Sequence, residues 1–333
     1  MKIALYSSKR PRCGIATYTN YLEDALRSLG ADVRHYGSGV PAEVVFSEVR
    51  AWNPEIFHVQ HEHAIMPPNE TLSNFAQERV QRGRRNIITL HTESQASAAL
   101  ASRGGFQASI IHRMPELLEN AHVLPMPCPV QEASTDRGNR PRYGFPADSF
   151  IITTLGFMLS WKMMVETAEQ FMPWLRENPE AYLQILASEH FSPGSAEYMR
   201  KCVRGLAALS VAVGGRIRHV LHYPSDQEVL ERLLLSDLGY VYCPFDTKSA
   251  SAAASLFISA RCPLVTSAST HYDHLMCHVI RTPKGDLPSF VKRITEVARD
   301  ADLLLRLRKS SEILYAETNY LECARRHLSI YGS

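Results

Sequence analysis

The sequence predicts an α/β protein built from two Rossmann-like domains facing across a cleft. Three observations predict it. Short apolar runs alternate with longer amphipathic ones, the pattern of strands and helices in parallel βαβ units. That rhythm stops in a proline-rich stretch and then restarts. The length, 333 residues, holds two domains of the usual size, about 150 residues each.

The first run, Lys2 to Ser7, reads as a buried strand. A loop with Pro11 and Gly14 follows. From Ile15, the positions Ile15, Tyr18, Leu22, Ala25, Leu26 and Leu29 recur at helical spacing, and Gly30 stands where a helix commonly ends. Asp32 to Tyr36, Glu55 to Gln60 and Asn86 to Leu90 read as further strands, and His122 to Leu124 as a weak fifth. A polar helical stretch, Asn69 to Arg84, lies before the fourth strand.

Between Pro125 and Pro146 the chain has five prolines, a Gly-Asn pair and scattered charge, a linker composition. We place an N-terminal domain at residues 1–135 and a second at 136–315. A terminal helix, 316–333, crosses back to the first. In the second domain strands are expected at Phe150 to Leu155, Tyr182 to Ala187, Ile217 to Leu221, Leu238 to Cys243 and Pro263 to Thr266. Helices fall between them: Lys162 to Arg176, Ala196 to Leu209, Asp226 to Leu235 and Ser251 to Ala260. After Pro288 the chain reads as almost continuous helix, with a break near Glu317 to Asn319. Ligands of open α/β sheets bind at the carboxyl ends of the strands, so the strand ends are where function is sought.

Hydrophobic residues make up 45% and charged residues 21% of the chain, which excludes a disordered chain, a collagen-like fibre and a coiled coil. A net charge of +2 does not predict bulk nucleic-acid binding, but it leaves room for a local basic patch. No apolar run approaches the roughly 20 residues of a membrane span, and the N-terminal apolar stretch is too short for a secretory signal. The seven cysteines are widely spaced with no C-x-x-C pair, which predicts a reducing, cytoplasmic setting.

The first loop joins a strand to a helix at Gly14 and Ile15. Its backbone N–H groups can hold a phosphate, with Lys9, Arg10 and Arg12 adding positive charge; a plain turn with solvated cations is the alternative. His58 to His63 (HVQHEH) ends the third strand. His61 and His63 share a side by strand alternation and suit a substrate-facing polar cluster better than zinc, because no further ligand stands at a metal spacing. His91-Thr92-Glu93 follows the fourth strand, either as functional groups or with Thr92 as a helix cap. His271, His274, Cys277 and His278 form an H-x-x-H-x-x-C-H without a second cluster, so no metal is expected there either.

Lys162 stands near a helix N-terminus, where a cation opposes the helix dipole and serves an anionic ligand. Asp246 through Ala252 runs from a strand into a helix rich in small residues, including Ser249, Ala250 and Ser251, which lets a ligand approach the free N–H groups. Arg79, Arg82, Arg84 and Arg85 form a basic cluster. It reads as a solvated helix face or as a weak contact for an acidic surface or nucleic acid.

The order of these segments resembles the GT-B glycosyltransferases of the family-4 type, which are retaining and use nucleotide sugars. The likeness spans nearly the whole chain. It is carried by Cys13-Gly14-Ile15-Ala16-Thr17-Tyr18, by Pro54 to His63, by Ile88 to Thr92, by Leu155-Gly156-Phe157 through Lys162, by Tyr240 to Ser267, and by Tyr320 to Leu328. The resemblance implies a donor diphosphate at Lys162, at the amides of Ser249 to Ala252 and at the Gly14–Ile15 loop. It implies a nucleoside site around Ser188, Glu189 and Tyr223. His91 would face the transferred sugar, with the acceptor near Arg12, Thr17, His61, Glu62 and His63. No metal or cofactor is implied. Stabilisation of the departing diphosphate is then the main catalytic effect.

Two departures stand out. Phe157 occupies the region where the family carries an arginine. The family's paired glutamates would fall near Lys248 and Leu256, neither of which is acidic, and Asp246 is the nearest carboxylate. The expected activity is sugar transfer from a nucleotide-diphosphate sugar to a hydroxyl. The alternatives are a non-catalytic GT-B protein that binds a sugar nucleotide or a protein partner, and a glycosyltransferase acting on nucleic acid.

Overall fold

The computed structural model describes the whole chain except residues 11–12, 119, 132–136, 191–193, 221–223 and 248. Two compact units emerge. One comprises residues 1–130, 248–252 and 318–333, and the other residues 131–247 and 253–317.

In the first unit the chain alternates β1 (Lys2–Ser7), α1 (Gly14–Ser28), β2 (Asp32–Gly37), α2 (Ala42–Trp52), β3 (Ile56–His61), α3 (Asn69–Gln81), β4 (Arg85–Leu90), α4 (Gln95–Arg103), β5 (Ala108–Ile111) and β6 (His122–Val123). The six strands form a parallel sheet in the order β2-β1-β3-β4-β5-β6. Its inner strands carry apolar residues on both faces because helices cover both. Ile3, Leu5, Ile56, Ile87 and Ile110 pack towards α1. Ala4, Tyr6, Phe57, Val59, Ile88 and Leu90 pack with the apolar side chains of α2, α3 and α4. Each of the larger side chains contributes about 1.5–3 kcal/mol on burial.

The second unit repeats the plan with β7 (Phe150–Phe157), α5 (Met164–Glu177), β8 (Ala181–Ser188), α6 (Ser195–Ala212), β9 (Ile217–Val220), α7 (Asp226–Leu234), β10 (Leu238–Val241), α8 (Ala252–Ser259), β11 (Leu264–Ser267), β12 (Ile280–Thr282), α9 (Leu287–Ala298) and α10 (Ala301–Thr318). Its parallel sheet runs β12-β11-β10-β7-β8-β9. Ile152, Leu183, Ile185, Tyr240 and Val265 meet Phe171 of α5, Leu206 of α6 and Phe290 of α9 in one core. The buried Arg140 guanidinium pairs with Asp237 at 2.7 Å, and the same carboxylate accepts from the Ile151 N–H at 2.8 Å. This pins the segment before β7 to the sheet.

The last helix, α11 (Tyr320–Gly332), belongs to the first unit. Its Asn319 cap accepts from the Glu322 N–H at 3.1 Å. Tyr320, Ala324, Ile330 and Tyr331 enter the core beside α1.

Several elements differ from the sequence expectation. α2, β5 and β12 were not anticipated: β5 and β12 have only four and three residues, too few to show a period. The helical tail breaks at residues 299–300 as well as at Asn319. Ser94 rather than Thr92 caps α4, in a reciprocal pair with Ser97. Lys162 ends a short 3-10 turn (Ser160–Lys162) just before α5, instead of opening the helix.

Candidate functional site

At the carboxyl end of β7 the backbone turns at Gly156, whose φ of +141° suits glycine alone. The ammonium of Lys162 fills the space beside it, so a Cβ at position 156 would overlap Nζ. Lys162 is half-buried, with Nζ 5.4 Å from the Trp161 ring centroid. Burial lowers its pKa to about 8, opposed by the Cys243 thiol nearby. Among the described residues no carboxylate pairs with it, unlike the ion-paired Arg140 and Arg232 of the same unit. His190 lies close, stacked edge-on with Phe157 at 5.0 Å. Burial, and then the charge of Lys162, lower its pKa. Ser188 ends β8 and is buried, its carbonyl accepting from the Met158 N–H at 2.8 Å; Glu189 is exposed. Tyr223 lies outside the described residues.

Asp246 is engaged by an ion pair with Lys284, and its Oδ1 accepts from the Thr270 N–H at 3.1 Å. The Lys284 contact, with the Thr270 amide, lowers its pKa. Residues 248–252 belong to the first unit: Ser249 and Ala250 are half-buried and Ser251 is buried, while Ala252 is exposed at the start of α8. Of the H-x-x-H-x-x-C-H segment, His271 Nδ1 bonds to Thr247 Oγ1 at 2.9 Å and His278 Nδ1 donates to the Ser310 carbonyl at 3.0 Å. Among the described residues no three His, Cys, Asp or Glu side chains group to hold a metal ion.

In the first unit Gly14 is exposed and opens α1, with Ile15 half-buried behind it. Thr17 lines a hollow of about 420 Å³ together with Lys9, Arg10, Asn20, Glu23 and His35. The Lys9 stem lies across Gly37, where a Cβ would stand 3.2 Å from its Cγ and Cδ. Glu23 is held ionised despite burial, by His35 and then Arg27. Arg12 lies outside the described residues.

The strand ends β3 and β4 bring His61 and His91 together through the backbone, the His91 N–H donating to the His61 carbonyl at 3.1 Å. Their side chains go to opposite faces of the sheet. His61 Nε2 bonds to Asn69 Oδ1 of α3 at 3.2 Å, and burial lowers its pKa. Glu62 is half-buried, and His63 is exposed in the turn beyond the strand. His91 turns towards α1, edge-on to Tyr18 at 5.0 Å and 5.5 Å from the His112 ring. Its Nε2 meets Gln60 Oε1 at 3.0 Å. Burial, and then the neighbouring His112 and His61, hold its pKa well below the usual value. Glu93 is buried and structural: it accepts from the Glu116 N–H at 2.9 Å, the Leu117 N–H at 2.7 Å and Arg113 at 3.2 Å.

Sequence reasoning named His58 and Gln60 only within the His58–His63 run and missed His112, His327 and Tyr331: Gln60 and His112 lie against His91, and Tyr331 and His327 against His58 on the same face. The signal was present: His58 and Gln60 alternate with His61 along the strand, so they point to the α1 side. The basic cluster needs a correction. Arg79 is 4% exposed, donating to Asn86 Oδ1 at 2.9 Å and to the Pro54 carbonyl at 3.0 Å. It packs against the starts of β3 and β4 because its partners there are buried acceptors, so it is no part of an exposed cationic face. Arg82 pairs with Glu78 at 2.8 Å, Arg84 donates to Asn53 at 3.0 Å, and Arg85 donates to the Ser333 and Ile330 carbonyls.

No protein-family model and no curated protein sequence matches this chain. Solved structures do. HepE of Anabaena, in complex with UDP and glucose, aligns with a TM-score of 0.72 at 12% identity over 100% of this chain and 99% of its own. Sucrose-phosphate synthase of Thermosynechococcus elongatus aligns with a TM-score of 0.74 at 14% identity over 100% and 98%. An α,α-trehalose-phosphate synthase of Burkholderia xenovorans, in complex with glucose-6-phosphate, aligns with a TM-score of 0.71 at 11% identity over 100% of both chains. The fold is therefore that of the GT-B glycosyltransferases, two Rossmann-like units each with a six-stranded parallel sheet. Among the described residues no helix is long and apolar enough to cross a membrane.

Proposed function

We propose that the protein transfers a sugar from a nucleotide-diphosphate sugar to an acceptor hydroxyl, with retention of configuration. The observation that carries this reading is the Lys162 ammonium seated on Gly156 at the end of β7, with no carboxylate partner among the described residues, in a chain with the GT-B fold. A departing diphosphate gathers negative charge as the glycosidic bond breaks. A fixed cation in a partly dehydrated site stabilises that charge without reorganising. In the second unit Lys162 takes the diphosphate, with Ser188, Glu189 and Tyr223 beside the nucleoside. In the first unit Gly14, Ile15 and Ser249 to Ala252 offer backbone N–H groups, His91 faces the sugar, and Arg12, Thr17, His61, Glu62 and His63 serve the acceptor. Donor chemistry of this class is supported by HepE, solved with UDP-glucose. The seven free cysteines suit a reducing cytoplasm.

The test is release of nucleoside diphosphate from a panel of UDP-, GDP- and ADP-sugars incubated with sugar and sugar-phosphate acceptors. Lys162→Ala should lower the rate by roughly a hundredfold or more, as removal of one such stabilising donor does. An unchanged rate in that variant refutes the assignment of Lys162. A second reading, donor binding without transfer, is favoured by one observation: Asp246 is occupied by Lys284, and Leu256 is no substitute for a carboxylate. Saturable nucleotide-sugar binding with no release of nucleoside diphosphate selects it.

A further inference from the structure

Behind His91 runs a chain of side-chain hydrogen bonds that reaches the last helix. His91 Nε2 lies 3.0 Å from Gln60 Oε1, and Gln60 Nε2 lies 3.2 Å from His58 Nε2. Thr89 Oγ1 is 2.8 Å from that same His58 nitrogen. His58 Nδ1 is 2.6 Å from the Tyr331 hydroxyl of α11. His58 and Gln60 are fully buried and Tyr331 is 2% exposed. Burial holds both His58 and His91 neutral.

A neutral imidazole has one N–H and one bare nitrogen, and an amide offers one acceptor and one donor. Gln60 therefore cannot satisfy the same tautomer on both sides. We propose that Gln60 is a positioning residue that locks His58 and His91 in opposite tautomers, with the His91 proton on Nε2 and the His58 proton on Nδ1. His91 Nε2–H donates to Gln60 Oε1. The Gln60 amide and the Thr89 hydroxyl donate to His58 Nε2, and His58 Nδ1–H donates to Tyr331. With the Gln60 amide oxygen towards His91 and its NH2 towards His58, equal tautomers on the two rings would bury an unsatisfied donor or acceptor, so the rings are held opposite.

The neighbours on this face do not compete for the link. Tyr18 of α1 meets His91 edge-on. His112 Nδ1 donates to the Leu124 carbonyl at 2.9 Å, and His327 Nδ1 of α11 donates to the Cys323 carbonyl at 2.8 Å. The functional consequence, which rests on the reading that His91 faces the transferred sugar, is that His91 presents Nδ1 as a hydrogen-bond acceptor. It accepts a hydrogen bond from a sugar hydroxyl rather than donating one.

The test is ring nitrogen-15 NMR of the full chain with labelled histidine near neutral pH, His91 being assigned from the His91→Gln variant and His58 from His58→Gln. The expected spectrum has His91 protonated at Nε2 and bare at Nδ1, and His58 the reverse. In Gln60→Glu the carboxylate accepts from both sides, so the His58 proton moves to Nε2 while that of His91 stays. In Gln60→Met neither side is held, and His91 relaxes to a mixture of tautomers. The same tautomer on both rings in the parent protein, or an unchanged His91 signal in Gln60→Met, overturns the proposal. The readout needs no substrate, so a failure to transfer sugar overturns the proposed activity and leaves the tautomer result standing.

Discussion

The ammonium of Lys162 occupies the space that any side chain at position 156 would need. The residues are six apart in sequence, yet a strand end and one 3-10 turn fold the lysine back onto the glycine. Among the described residues no carboxylate anchors this cation, which leaves its charge available to a ligand.

Gly156→Ala should therefore imitate loss of Lys162. The new methyl group displaces the ammonium, and the positive φ adds backbone strain of order 1–3 kcal/mol. Loss of one hydrogen bond to a charged group is worth about 1.5–3 kcal/mol, so nucleoside diphosphate affinity should fall roughly tenfold to a hundredfold. Titration calorimetry on Gly156→Ala and Lys162→Ala checks this, and full affinity in either variant counts against it.

Binding should also weaken with rising pH. Burial places the Lys162 pKa at about 8 in the free protein, and a bound diphosphate raises it by favouring the ammonium. Below about pH 8 the site is already charged. Above it, the protein must take up a proton to bind, so affinity falls through that range. Lys162→Ala should remove this part of the pH profile.

Acid should destabilise the first unit. Burial lowers the pKa values of His112 and His327 from the usual 6.5 to about 4. The unfolded chain therefore binds more protons than the folded one between pH 6.5 and 4, and stability is lost as pH falls through that window. The slope is up to about 1.4 kcal/mol per pH unit for each histidine. Thermal melts across this range should show the midpoint falling, and His327→Gln, although less stable at neutral pH, should show a shallower fall.

Glu93→Gln should destabilise without touching the proposed chemistry. The buried carboxylate holds Arg113 and two N–H groups of the loop after β5. Breaking a buried pair costs about 3 kcal/mol or more. Denaturant unfolding should show that loss, and the protein that stays folded at low temperature should keep whatever nucleotide-sugar affinity the parent shows.

The repeated βαβ plan was legible because buried parallel strands such as Asn86–Leu90 carry apolar residues on both faces, and α1 shows its apolar face at helical spacing. β5 and β12 were not, because strands of three or four residues are defined by their partners. His91 stands directly after the apolar run Ile87–Leu90, and Lys162 was singled out as a cation near a helix N-terminus. The partners of His91 were harder to see. His58 and Gln60 lie on the strand itself, but Tyr331 and His327 arrive from the far end of the chain, and only packing shows that they meet. Arg79 was misread because a charged residue on a polar helix ordinarily faces water, whereas here the Asn86 side chain and the Pro54 carbonyl draw it inward.

The most direct measurement is a calorimetric titration of the full chain with UDP, GDP and ADP and their glucose conjugates, run in parallel on Lys162→Ala. The proposed transfer from a nucleotide-diphosphate sugar predicts saturable binding of one nucleoside diphosphate and its sugar conjugate, weakened at least tenfold in the variant. No binding by any of them, or equal binding by the variant, would contradict it.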